Sequence, residues 1–256
     1  MKPWRLSETK YSYVKEHPYE VAVLPIGATE PHNLHLPYGT DDITVGLLGD
    51  MICEYAHQYG ANVALLPTIP YGVDTNLLGF PMAMSINPST LDLLITDLVN
   101  SLETHGVHKL VILNGHGGNS LKHTLRELFP HTSVFISLID WFAVVKDVYF
   151  DIFENPDDHA GEMETSIAMH CFPELVDVSL ADSGAVKSSN FEAINKGWVQ
   201  ITRPWDIVTT NSGVGDPSKA SADKGKQVLA ILKERLGTYI KELSNAEIDQ
   251  TFPYGD

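Results

Sequence analysis

The stretch GATEPHNLHLPYGTDD, residues 27–42, concentrates side chains that can bind a metal ion or carry a proton. Five such residues stand in it: Glu30, His32, His35, Asp41 and Asp42. An apolar run over residues 20–27 leads into the stretch and predicts a buried strand. Carboxylate and imidazole groups suit zinc, manganese or iron, so this is a candidate metal site at the end of a strand.

Two further polar clusters have a similar setting. NGHGGN places His116 in a glycine-rich turn after the apolar run 110–113, and DDHAGEMET begins a predicted helix. The second cluster contains Asp157, Asp158, His159, Glu162 and Glu164. In open α/β sheets, functional groups gather where strands end and loops begin. The combined set predicts two divalent ions, bridged by a carboxylate such as Asp41, that activate a water and polarise a substrate oxygen. That is hydrolytic chemistry.

Each of these residues alone also has a structural explanation. His32 or His35 could be a packed histidine, and Asp41 could be a helix cap. Capping does not explain three polar clusters at strand or loop ends, so the set as a whole favours a functional site. Ser120 lacks the context of a nucleophile elbow, and both cysteines lie in apolar helical stripes, so neither residue type is a predicted nucleophile.

Short β-rich runs alternate with longer helical patterns, which predicts a parallel sheet covered by helices. Strands are expected over residues 20–27, 62–70, 110–113 and 133–138, and helices over 47–56, 91–102, 120–129 and 228–243. Residues 177–217 are poorly periodic and are predicted as loops with short strands at most. No stretch resembles a linker, so residues 1–256 are expected to form a single domain.

The 33 acidic residues outnumber the 17 Lys and Arg residues and give a formal net charge of −16. This charge argues against binding nucleic acid or an anionic membrane and favours a small-molecule substrate. The N-terminus lacks the apolar core of a signal peptide, and the apolar segment 134–145 is too short to span a bilayer. Cys53 and Cys171 are expected to be reduced, which predicts a soluble protein of the cytoplasm.

Four stretches together resemble the creatininase family, the creatinine amidohydrolases and their relatives. They are LPIGATEPHNLHLPYGTD, NGHGGN, DHAGEMETS and GVGDPSKASADKG, and they stand in the family's order over most of the chain. The resemblance implies a three-layer α/β/α fold with a mostly parallel central sheet and a binuclear metal site at the strand ends. It also implies hydrolysis of a non-peptide C–N bond and assembly into a homohexamer.

Residue by residue, the resemblance implies four metal ligands, with the third as the bridge: Glu30, His32, Asp41 and His116. His159 matches the histidine thought to protonate the leaving nitrogen. Creatininase supplies a further glutamate two residues after the NGH histidine, where this chain has Gly118. The expected replacement is Glu162, as ligand and catalytic residue, with Glu164 as the second choice. Two divalent ions per chain are expected, with zinc preferred over manganese or iron.

The chain departs from the family around the substrate. It reads NLLGFPMAMS where many members have a histidine before FPGT, and the segment 141–159 lacks creatininase's second lid tryptophan. Creatinine is therefore not the expected substrate, and an amide, cyclic amide or formamide is. Specificity is expected to depend on residues 76–84 and on the loop before His159. The alternatives are a small-peptide peptidase and a catalytically silent metal- or ligand-binding scaffold.

Overall fold

Four parallel strands form the central sheet of the computed structural model, which describes residues 2–254 apart from the side chain of Asp157. The strands are β1 (Val21–Ile26), β2 (Val63–Leu65), β3 (Lys109–Asn114) and β4 (Phe135–Asp140), in the order β2-β1-β3-β4. In the register of the sheet, Val23 of β1 lies opposite Leu65 of β2 and Val111 of β3. The two central strands are buried along their whole length, as expected for apolar runs covered on both faces.

Five helices of seven or more residues surround this sheet in the described part of the chain. They are α1 (Thr40–Gln58), α2 (Pro88–Thr104), α3 (Lys122–Leu128), α4 (Glu162–Cys171) and α5 (Ala222–Asn245). Single-turn helices span Tyr11–Val14, Tyr149–Ile152, Glu192–Asn195 and Trp205–Val208. A separate antiparallel ribbon joins β5 (Asp157–His159) to β6 (Val214–Gly215).

Alternation of side chains along the strands divides the core into two layers. Val21 and Val23 of β1 point to the face where α1 and α5 pack, while Leu24 and Ile26 belong to the core that α2 covers. Helices on both faces of a parallel sheet make three layers, so the predicted α/β/α fold class is confirmed.

The ends of some elements differ from the predictions. Strand β2 covers three residues rather than residues 62–70, because Pro67 and Pro70 have no backbone N–H to donate to the sheet. Strand β4 runs from Phe135 to Asp140, so both of its ends lie two residues later than predicted. Residues 177–217 are mostly irregular, as predicted, apart from short helical turns and β6. No helix within residues 2–254 is both long and apolar enough to cross a membrane.

Helices α4 and α5 cross at Gly225, which leaves no space for a side chain. A Cβ atom there would overlap the backbone carbonyl of Ser166, and a backbone atom cannot move aside as a flexible side chain can. We expect Gly225→Ala to lower the free energy of unfolding by about 3 kcal/mol, measured by urea denaturation. Gln227→Ala, on an exposed face of the same helix, is the control and should change it by less than about 0.5 kcal/mol.

Candidate metal centre

Side chains from the carboxyl ends of three neighbouring strands converge with the start of a helix. Glu30 and His32 lie on the loop after β1, Asp74 on the loop after β2, and His116 on the turn after β3. Asp41 lies in the first turn of α1. All five are buried, with at most 5% of each residue exposed, so the chain places acidic groups and imidazoles together in its interior.

Two glycines allow the backbone to approach closely enough for this convergence. A Cβ at Gly27 would lie 2.6 Å from the Cα of Asp42, so only glycine lets the chain leaving β1 touch the start of α1. A Cβ at Gly115 would lie 2.8 Å from the Cβ of Val45. These contacts hold the loops after β1 and β3 against the helix that carries Asp41.

The first group of metal-capable side chains consists of His32, Asp41 and Glu164. His32 Nδ1 lies 3.1 Å from the carbonyl of Glu30 and donates to it, so His32 Nε2 carries the lone pair of the neutral ring. His32 Nε2 lies 3.0 Å from Asp41 Oδ1 and 4.0 Å from Glu164 Oε2. A lone pair facing carboxylate oxygens at this distance requires a cation between them, either a proton or a metal ion.

The second group lies around His116. His116 Nδ1 lies 2.9 Å from Glu30 Oε1 and 3.1 Å from Asp41 Oδ2. Asp41 therefore contacts His32 through one oxygen and His116 through the other. A third carboxylate, Asp74, is within 4.8 Å of the donor atoms of Glu30 and His116.

His159 lies beside both groups with a defined tautomer, and one of its ring nitrogens lies within 4.8 Å of donor atoms of Glu30 and His32. Its Nε2 lies 2.9 Å from the carbonyl of Pro31, which can only accept, so Nε2 carries the hydrogen. Its Nδ1 therefore faces the cluster, 3.8 Å from Glu30 Oε1. The ring packs between His32, at 4.1 Å, and the edge-on ring of Trp205, at 5.0 Å. Packing and one hydrogen bond thus fix the orientation of His159.

Burial is the largest influence on the pKa values here, and neighbouring charges oppose or reinforce it. Burial lowers the pKa of His32, but the charge of Asp41 and its hydrogen bond outweigh this and raise the pKa to about 10. Burial raises the pKa of Asp41, but His32 and His116 hold it well below its usual range. Burial and the nearby charge of His32 lower the pKa of His159 to about 3. The cluster therefore stabilises positive charge around Asp41 and keeps His159 neutral.

Glu162 does not reach this cluster, contrary to the expectation that it replaces the ligand absent at Gly118. Its Oε1 accepts from Nζ of Lys224 at 2.5 Å, and its Oε2 accepts the backbone N–H groups of Glu154 and Asn155 at 3.0 and 2.7 Å. Residues two apart on a helix point in nearly opposite directions, so only one of Glu162 and Glu164 can face the metal-capable group. In this fold that residue is Glu164.

The cluster lies at a cavity of about 640 Å³. Asn76 and Leu77 line the cavity, within the range 76–84 expected to determine specificity, and so does Asp158 before His159. Residues 200–203 and Trp205 also line the cavity, and the sequence predictions missed them because that region has no periodicity. They also missed Asp74, although its position after a strand end is the same signal that identified His116.

A buried cluster of carboxylates and imidazoles at the strand ends of a parallel α/β sheet is the arrangement expected of a metal-dependent hydrolase. The family model "Creatinine amidohydrolase" matches residues 7–240. The chain therefore belongs to the creatininase family, and the prediction of a creatininase-family amidohydrolase is confirmed at that level.

The names of three relatives give three different substrates. The chain is 27% identical over 244 residues to the creatinine amidohydrolase of Pseudomonas putida, covering 87% of this chain and 89% of that protein. It is 25% identical over 213 residues to the mycofactocin precursor peptide peptidase of Mycolicibacterium smegmatis, covering 82% and 80%. It is 26% identical over 260 residues to the 3-dehydro-scyllo-inosose hydrolase of Thermotoga maritima, covering 92% and 80%.

Solved structures have the same fold. A crystal structure from Bacteroides fragilis that carries the family name creatinine amidohydrolase superposes with a TM-score of 0.88 at 36% identity, covering 98% of this chain and 100% of that one. A manganese form of creatininase superposes with a TM-score of 0.74 at 23% identity, covering 95% and 99%. A zinc form of a mutant creatininase gives 0.75 at 23%, covering 96% and 100%.

Proposed function

We propose that this protein is a metal-dependent amidohydrolase that cleaves a non-peptide C–N bond of a small molecule. The expected bond is an amide, cyclic amide or formamide. One observation carries the proposal: Asp41 links two groups of carboxylates and imidazoles at a cavity, with one oxygen toward His32 and the other toward His116. Two ions joined by a bridging carboxylate are a common arrangement for activating water against a carbonyl.

The donor set fits two divalent ions. Glu30 Oε1 is buried and accepts no hydrogen bond within residues 2–254, although His116 Nδ1 is only 2.9 Å away. Buried oxygens and nitrogens that lie close together without forming hydrogen bonds are typical of side chains that bind a metal ion. We assign as ligands the following residues: Glu30, His32, Asp41, His116 and Glu164. Zinc is the preferred ion, with manganese or iron as alternatives, since carboxylates and imidazoles suit all three and the creatininase structures include manganese and zinc forms.

When bound, two such ions supply Lewis acidity and lower the pKa of a water molecule. His159 is the residue that transfers the proton of this water. Its Nε2–H is held by the carbonyl of Pro31, so Nδ1 is the atom that accepts a proton from the attacking water and returns it to the leaving nitrogen.

A small substrate fits the cavity better than a long peptide does. A volume of about 640 Å³ lies within the range of pockets that enclose a small molecule. The peptidase alternative is supported by the similarity to the mycofactocin precursor peptide peptidase, but a peptidase needs a groove for an extended chain. We infer that the substrate is enclosed rather than laid across the surface.

A substrate panel tests this function. The zinc-loaded and manganese-loaded protein is assayed against lactams, formamides and simple amides, and in parallel against short peptides, by detection of released amine. We expect turnover of the first set and none of the second. Turnover of peptides alone would establish the peptidase. One ion or fewer per chain and no turnover of any amide would instead support the silent scaffold.

We further propose that the protein acts as a homohexamer in the cytoplasm. Large apolar side chains are exposed on the surface, among them Trp198 at 74% and Phe191 at 68%, and exposed apolar surface of this kind is typical of interfaces. Within the described residues Cys53 and Cys171 are unpaired, which suits a reducing compartment. Light scattering gives the mass of the assembly, and a monomer would contradict the hexamer.

A further inference from the structure

Asp74 is a buried carboxylate that none of the ligand positions implied by the family resemblance accounts for. It lies on the loop after β2 and has no exposed surface. Within residues 2–254 neither of its side-chain oxygens takes part in a hydrogen bond. Its nearest polar neighbour is His116 Nε2, 2.9 Å from Asp74 Oδ1, and a buried carboxylate that accepts no hydrogen bond is a candidate ligand for a cation.

The nearest polar atom does not supply the missing hydrogen bond. Asp74 Oδ1 lies 2.9 Å from His116 Nε2, but the Nε2–H direction meets the carbonyl of Val73, at 3.2 Å. Asp74 is therefore beside the imidazole without being its hydrogen-bond acceptor. A carboxylate whose only role was to orient His116 would accept that hydrogen.

The backbone around Asp74 is held so that the carboxylate faces the cluster. The Asp74 N–H donates to the hydroxyl of Ser85, and the Asp74 carbonyl accepts the N–H of Leu77. Two glycines make room for the loop. A Cβ at Gly118 would overlap His116 Nε2 and the carbonyl of Val73, and a Cβ at Gly72 would lie 3.0 Å from the His116 ring. The same Gly118 that removes a family ligand thus admits the loop that brings Asp74.

Charge gives the second argument. The assigned ligands contain three carboxylates, Glu30, Asp41 and Glu164, against the four positive charges of two divalent ions. Coordinated to an ion as a carboxylate, Asp74 would add a fourth negative charge and balance the four positive charges of the ions. A neutral arrangement is favoured where water is excluded, because an uncompensated charge in the interior carries a large desolvation penalty.

We propose that Asp74 is a metal ligand in the group formed with Glu30 and His116. This proposal rests on the proposed metal-dependent function and adds one ligand to it. Asp74 then supplies a carboxylate to the group around His116, as Glu164 does to the group around His32. The donor atoms of Asp74, Glu30 and His116 already lie within 4.8 Å of one another.

Metal affinity tests the assignment. Wild type and Asp74→Asn are loaded with zinc, equilibrated against graded concentrations of a chelator, and analysed for bound ions by mass spectrometry of the metal. We expect the variant to lose one of two ions at a free zinc concentration at least about 10-fold higher than wild type does. Asp158→Asn is the matched control, because it removes a carboxylate that lines the same cavity but belongs to none of the metal-capable groups.

The outcomes separate this proposal from the function on which it rests. If wild type binds no zinc, the metal-dependent function fails. If wild type binds two ions and Asp74→Asn binds them as tightly, only the role of Asp74 fails. Removing a carboxylate that only positioned His116 would also lower zinc affinity, so the zinc-edge structure of the wild type decides between the two roles, and it also decides should Asp74→Asn not fold. An Asp74 oxygen about 2.0–2.2 Å from an ion supports the assignment, and a distance beyond about 3 Å from every ion overturns it.

Discussion

Asp41→Asn should remove most of the bound metal and nearly all activity. Asp41 is the residue that contacts both histidine-containing groups, one through each carboxylate oxygen. An amide at this position presents one oxygen and one NH₂ group, and the NH₂ group cannot bind a cation. We expect bound metal to fall from about two ions per chain to fewer than about one. We expect kcat/KM to fall by about 10³-fold, equivalent to about 4 kcal/mol of transition-state stabilisation.

The neighbouring residue provides the control for this variant. Asp42 lies in the same first turn of α1 and belongs to neither metal-capable group. Asp42→Asn makes the same chemical change one position away, so it should retain two ions and activity within a few-fold of wild type. Metal content by mass spectrometry and turnover of the substrate found in the amide panel provide the two measurements. Equal metal content in Asp41→Asn and wild type would remove Asp41 from the ligand set.

The central strands and the helices that follow them could be predicted because each is indicated by a pattern of apolar residues within its own segment. The apolar run before Gly27 and the one before Asn114 are long enough to indicate buried strands, and the structure places both in the centre of the sheet. Once two parallel strands are central, their loops meet at one edge, which is why the sequence brings the Glu30 loop and the His116 turn together.

The identity of the remaining carboxylates depends on information that is not local. Glu162 and Glu164 both lie in the first turn of α4. The rotation of that helix about its own axis, its phase, decides which of them faces His32. That phase is set by packing against α5, where Gly225 permits close contact and Lys224 attracts Glu162. A sequence pattern shows that the two residues point in different directions but not which direction is inward.

The same geometry predicts that the two glutamates of α4 have separable roles. Glu162 has no exposed surface, and its carboxylate is satisfied by Lys224 and two backbone N–H groups. Lys224→Met would leave that carboxylate without its cation, so we expect the free energy of unfolding, measured by urea denaturation, to fall by about 3 kcal/mol. Two ions should remain bound, because neither Lys224 nor Glu162 belongs to a metal-capable group.

Glu164→Gln should have the opposite effects. Its carboxylate lies with His32 and Asp41, so the substitution should lower zinc affinity by at least about 10-fold and kcat/KM by about 100-fold. In the metal-free protein its free energy of unfolding should stay within about 1 kcal/mol of wild type, because the remaining side-chain oxygen can still accept the N–H of Ala160. Glu162→Gln serves as the matched comparison, with the same chemical change two residues earlier on the helix. If Glu162→Gln lost an ion while folded and Glu164→Gln lost none, the phase of α4 inferred for the metal centre would be wrong, because metal binding reports which glutamate faces inward.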